Sequence, residues 1–133
     1  MSYAKVYRAA QQYRTVGTEA AVAEADPHRL IQLLLDGALV RVASARDHMQ
    51  RGEVARKGEC LSQAMSILDG LRASLNAEAG GAIASNLENL YVYMSQRLLE
   101  GNLKNDVARL DEVTRLLGEI KGAWASIAPS PAP

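Results

Sequence analysis

Gly80-Gly81-Ala82-Ile83-Ala84-Ser85-Asn86-Leu87-Glu88-Asn89-Leu90-Tyr91-Val92-Tyr93-Met94 decides how this chain folds. The paired glycines break the backbone, and the residues after them have the spacing of a helix. At about 100° per residue, Ile83, Leu87, Leu90, Tyr91, Met94 and Leu98 make one continuous apolar stripe. A helix on the surface of a globular domain needs only one such stripe. Val92 and Leu99, seven residues apart, form a second apolar line roughly opposite the first. The first line predicts a packed helix, and the second predicts that something else covers it.

Working outward, three more helices have readable ends. Asp26-Pro27 starts one: the carboxylate can accept from free first-turn amides, and proline suits the first helical position. This helix is expected to run to about Gln50 and to end at Arg51-Gly52. Its stripe is Ile31, Leu34, Leu35, Ala38, Val42, Ala45 and Met49. The next is expected from about Glu53 to Asn76, with Cys60, Ala64, Ile67, Leu68, Leu71 and Leu75 inward. Gly70 within it costs about 1 kcal/mol relative to alanine. The helix after Gly80-Gly81 is expected to end near Glu100, with Gly101-Asn102 as a turn. The last is expected from about Leu103 to Ile127, with Leu110, Val113, Leu116, Leu117, Ile120, Trp124 and Ile127 inward.

Four helices of 20 to 25 residues (roughly 30 to 38 Å), joined by short turns, predict antiparallel neighbours. The expected fold is all-α: an up-down-up-down four-helix bundle over residues 26–127. Residues 1–25 are expected to form an N-terminal arm or a short cap helix. Tyr3, Tyr7 and Tyr13 there alternate with Lys5, Arg8 and Arg14. The tail, residues 128–133, carries three of the four prolines and is expected to be disordered.

Composition agrees with a single helical domain. Of the 133 residues 48% are hydrophobic, but only 5% are aromatic and phenylalanine is absent, so the core must be Leu, Ile, Val, Ala and Met. Fifteen basic residues balance fifteen acidic ones. That argues against nucleic acid, which clustered basic surfaces bind, and against an electrostatic membrane anchor. Asp36 interrupts the most apolar region, so no membrane insertion is expected. The first residues lack the pattern of a secretory leader, and the lone Cys60 is expected to be a buried thiol in a reducing cytosol.

Enzymatic chemistry is not indicated. His28 is expected to be exposed in a first helical turn, and His48 to sit near a helix end where an imidazolium favours the dipole. Neither has the Glu three residues earlier that di-iron bundles use. No phosphate-binding glycine loop and no nucleophile elbow occur. No catalytic residue, cofactor or metal is therefore assigned. The positive signal is surplus apolar surface: Leu33 and Val40 on the first helix, Val92 and Leu99 on the third. Such lines suit an amphipathic partner helix. Equally, they fit helices with more than one neighbour in the bundle, or lines covered by the arm.

The residues also carry a family resemblance. Asp26-Pro27-His28-Arg29-Leu30-Ile31 with Leu34, Asp36 and Gly37 resembles the first bundle helix of the flagellin export chaperones, the FliS family. Lys57-Gly58-Glu59, Leu61-Ser62-Gln63-Ala64, Ile67, Leu68 and Leu71 resemble its second helix. Gly80-Gly81, Ile83-Ala84, Asn86-Leu87, Leu90-Tyr91 and Tyr93-Met94 are the strongest match. Arg97-Leu98-Leu99, Asn102-Leu103, Asn105-Asp106, Glu112-Val113, Leu116-Leu117 and Ala123-Trp124 extend it.

The resemblance implies a cytoplasmic chaperone that binds the disordered C-terminal region of flagellin and blocks premature polymerisation. It would keep flagellin competent for flagellar type III secretion, with the flagellar export gate as second partner. By the same resemblance Tyr13 would belong to a segment that caps the binding surface. The residues expected to meet the partner are Tyr13, Leu33, Val40, Ile67, Leu71, Asn86, Leu90, Tyr91, Val92 and Leu99. The alternative is a helical adaptor or anti-regulator that binds another secretion-linked protein.

Overall fold

The computed structural model describes residues 26–75 and 77–127, without the side chains of 77–79. The expected arm, Tyr13 with it, and the expected tail lie outside the described residues. Among the described residues four helices occur in order: α1 Pro27–Gln50, α2 Val54–Ala73, α3 Ala77–Lys104 and α4 Val107–Ser126. α1 packs on α2 and α4, and α3 packs on the same two helices. The four therefore stand at the corners of a square, with α1 diagonal to α3, as in an antiparallel bundle.

Local chemistry sets the ends. Asp26 Oδ1 accepts from Arg29 N at 2.8 Å, and Pro27 opens α1. The α1 C-terminus closes with Glu53 N on His48 O at 2.9 Å and Gly52 N on Met49 O at 3.2 Å. This is a Schellman turn, with Gly52 at φ 74° in the left-handed position. The corner between α3 and α4 repeats its outer bond, Asp106 N on Gly101 O at 3.0 Å, with Asn105 in the left-handed position at φ 49°. Asp106 then caps α4 by accepting from Ala108 N at 3.1 Å.

Leu34, Leu35, Ala38, Val42 and Ala45 of α1 meet Ala64, Ile67, Leu68 and Leu71 of α2 in one core. Tyr91, Met94 and Leu98 of α3 and Leu110, Val113 and Leu117 of α4 complete it. Leu30 and Leu61, outside the expected stripes, are also fully buried.

Several expectations need correction. Gly101 does not turn the chain: α3 runs on to Lys104. Gly101 is buried against α4, where an added Cβ would come 2.6 Å from Leu110 Cδ1 and 3.3 Å from Asp106 O. The glycine there permits close helix packing rather than a turn. α4 accordingly begins at Val107 and α2 ends at Ala73, both inside the expected limits. The break at the paired glycines is present, at Gly81 with φ 55° and ψ −126°, but Ala77–Gly80 before it is already helical.

Ile83 is 72% exposed rather than inward. Arg97 pairs with Glu112 and Gly101 packs on Leu110. Continuing that antiparallel register puts Ile83 level with Ile127, itself exposed beyond the last turn of α4. Helical periodicity gives a side chain its direction, but at this end of the bundle the described part of α4 stops at the level of Ile83.

Cys60 is only half-buried, and burial still pushes its thiol above the usual range. His28 is half-buried too. Its ring stacks on Trp124 with centroids 4.9 Å apart, and its Nε2 lies 3.0 Å from Trp124 O. The Trp124 indole N–H donates to His28 O at 2.9 Å, tying the start of α1 to the end of α4. His48 Nδ1 pairs with Glu53 at 2.8 Å across the first corner.

Candidate functional site

The two flanks of α3 differ in chemistry. Toward α4 it is polar and closed. Tyr93 donates its hydroxyl to Glu112 Oε2 at 2.7 Å, and Arg97 Nε donates to Glu112 Oε1 at 2.7 Å. The Arg97 guanidinium also lies 5.8 Å from the centre of the Tyr93 ring. Those two hydrogen bonds, Tyr93 first, hold the Glu112 carboxyl below its usual range. Tyr93 is exposed and Arg97 and Glu112 are only half-buried, so water screens the cluster and it fixes the register of α3 on α4 more than it stabilises it.

Toward α2 the surface is apolar and open. Arg72 of α2 pairs with Glu88 of α3 at 3.2 Å, which marks that flank. Glu88, Val92, Leu99 and Leu103 fall within about 60° of one another around the helix. Val92 is half-buried, Leu99 is 48% exposed and Leu103 75%. At the same end of the bundle Val54, in the first turn of α2, is 67% exposed. Several apolar side chains aligned on one seam, where one alone would carry no meaning, make this the candidate surface.

The residues expected to meet a partner separate on this frame. Leu99 and Val92 lie on the open seam. Asn86 is exposed and Leu90 half-buried. Tyr91, Ile67 and Leu71 sit in the core, 4%, 0% and 1% exposed. Val40 is exposed and Leu33 half-buried against the core. Their helix is diagonal to α3, so the Leu33–Val40 line and the Val92–Leu99 line are not two walls of one groove. Val54 and Leu103 escape sequence reasoning. Leu103 stands four residues beyond Leu99 on the same line, and ending the helix at Glu100 cuts that line short.

Burial of Tyr91 pushes its phenol from 10 up to about 12. A raised folded value keeps the phenol neutral, so its contribution is complete below pH 10. It disappears as pH climbs to about 12, an effect of about 2–3 kcal/mol. Ultraviolet titration should show one phenol ionising near pH 12, with stability falling between pH 10 and 12. Ionisation of every tyrosine near pH 10 with the fold intact would contradict the burial.

Among the described residues no group of three His, Cys, Asp or Glu converges on a metal position, and no helix is long and apolar enough to cross a membrane. The chemistry on offer at the seam is apolar contact.

Comparison with known proteins places this bundle. A model of the family described as flagellar protein FliS matches residues 9–131. This chain belongs to the FliS family. It is 48% identical to the flagellar secretion chaperone FliSB of Pseudomonas aeruginosa over 120 residues, 90% of this chain and 95% of that one. It is also 48% identical to the flagellar secretion chaperone FliS of Salmonella typhimurium over 118 residues, 88% and 87% of the two chains. The FliS of Bacillus subtilis is 29% identical over 116 residues. The family match over residues 9–131 takes in α1 to α4, so the likeness covers the bundle as a whole.

Proposed function

We propose that this FliS-family chain is a cytoplasmic chaperone that holds the C-terminal segment of flagellin against the seam between α2 and α3. The observation that carries the reading is the apolar line of half-buried Val92 with exposed Leu99 and Leu103, and exposed Val54 at the same end of the bundle. A segment that must later pair inside a filament is itself apolar, and covering that face delays assembly. An amphipathic helix meets such a line through anchors at helical spacing. Ordering it costs roughly 2–5 kcal/mol, which burial along the seam offsets. Holding needs no nucleotide, and hand-over to the flagellar export gate supplies release. Tyr13 keeps its proposed place as a cap on the binding surface.

The test is calorimetric titration with two fragments of flagellin. A C-terminal fragment should bind one to one, and a fragment lacking that region should not bind. Absence of binding by the C-terminal fragment would overturn the reading. Recovery of another secretion-linked protein instead, from flagellated cells, would favour the adaptor role.

A further inference from the structure

Lys57 is the one charged side chain among the described residues that the core encloses, 4% exposed. No described carboxylate pairs with it. Its Nζ donates to Asn102 O at 3.0 Å and to Asn105 Oδ1 at 2.5 Å. Burying an ammonium without an acidic partner is costly, and an apolar side chain of similar size is often as stable or more so. Stability alone is therefore a poor reason for a lysine at this place.

Its bonds have a specific address. Asn102 O belongs to the last turn of α3, where free carbonyls carry partial negative charge that a cation favours. In the corner between α1 and α2 the equivalent carbonyl, Met49 O, is taken by the backbone N–H of Gly52. In the corner between α3 and α4 a side chain from α2 reaches across to do this. Asn105, the second acceptor, is the residue in left-handed conformation that makes that corner. Lys57 thus ties the first turn of α2 to the last turn of α3. Val54 stands one turn before Lys57, and Leu103 is next to Asn102. The two most exposed apolar residues of the seam ride on the two segments that this tie joins.

We propose that Lys57 is a positioning residue for the partner: it sets the α3–α4 corner so that Val54, Leu99 and Leu103 form one apolar shelf. The inference rests on the seam being the surface that binds flagellin. Lys57 itself touches no partner. Its effect passes through Asn102 and Asn105 to the placement of Leu103.

Titration of the flagellin C-terminal fragment into the full chain tests this, with thermal unfolding alongside. Lys57→Met should leave the unfolding temperature within a few degrees and weaken binding ~10-fold. Asn105→Gly removes the side-chain acceptor but suits the left-handed backbone, so it should fold and weaken binding in the same direction. It also keeps the test decisive if Lys57→Met does not fold. Asn105→Asp retains an acceptor for Lys57 and should bind as the parent does.

A structural role alone would not produce coupling to a surface residue. Once Leu103→Ala is in place, Lys57→Met should cost little further binding. If Lys57→Met and Asn105→Gly fold and bind like the parent while Leu103→Asp does not bind, the positioning role is overturned and the seam stands. If Leu103→Asp also binds like the parent, the seam reading fails with it. Additive effects of Lys57→Met and Leu103→Ala would overturn the positioning role as well.

Discussion

Leu98→Ala should lower the free energy of unfolding by about 2–5 kcal/mol, the cost of removing buried methyl groups and leaving a cavity. Leu98 is 0% exposed and belongs to the core cluster that α1, α2 and α4 share with α3. The core residues it joins come from four separate helices, with α1 and α4 capped by Asp26 and Asp106 and the first and third corners closed by left-handed turns. Collapse into the space would have to move a helix, so the upper part of that range is expected. For a domain of this size the unfolding temperature should drop by roughly 10–15 °C. Denaturant melts read the effect directly, and a change below about 1 kcal/mol would mean that α3 is not packed as described.

Leu99→Asp, one residue along, should do the reverse. Leu99 is 48% exposed on the seam, so its loss should move stability by about 0.5 kcal/mol. Binding of the flagellin C-terminal fragment should weaken by roughly 10- to 100-fold. An aspartate there must be covered by the apolar face of the partner, and leaving its carboxylate partly desolvated and unpaired costs about 1.4–2.8 kcal/mol of binding. The pair is informative because the two side chains are about 100° apart on one helix. Loss of stability in both variants would place Leu99 in the core, and unchanged binding by Leu99→Asp would remove it from the partner surface.

Much of the fold is legible in the sequence because it is written in local chemistry. Asp26-Pro27 and Arg51-Gly52 bound α1 where their capping habits say they should. The surplus apolar line on α3 emerges from angular spacing, which needs no knowledge of neighbours. Which helix faces that line does need it: only the pair Arg72 with Glu88 shows that Val92 and Leu99 turn toward α2. The diagonal placement of α1 and α3 is likewise a property of topology, so Leu33 and Val40 read as companions of a line they do not share. Gly101 reads as a turn because glycine breaks helices in isolation. Here its missing side chain makes room for Leu110. Lys57 is hidden for another reason. A lysine at helical spacing reads as solvent-exposed, and its acceptors lie 45 and 48 positions away.

The most direct test of the central claim is a methyl-resolved NMR titration of this chain with the flagellin C-terminal fragment. The methyl signals of Val54, Val92, Leu99 and Leu103 should shift together and saturate at one equivalent, while those of buried Ile67 and Leu71 move less. Shifts confined to Leu33 and Val40, with the four seam residues unmoved, would contradict the assignment of the α2–α3 seam as the surface that holds flagellin.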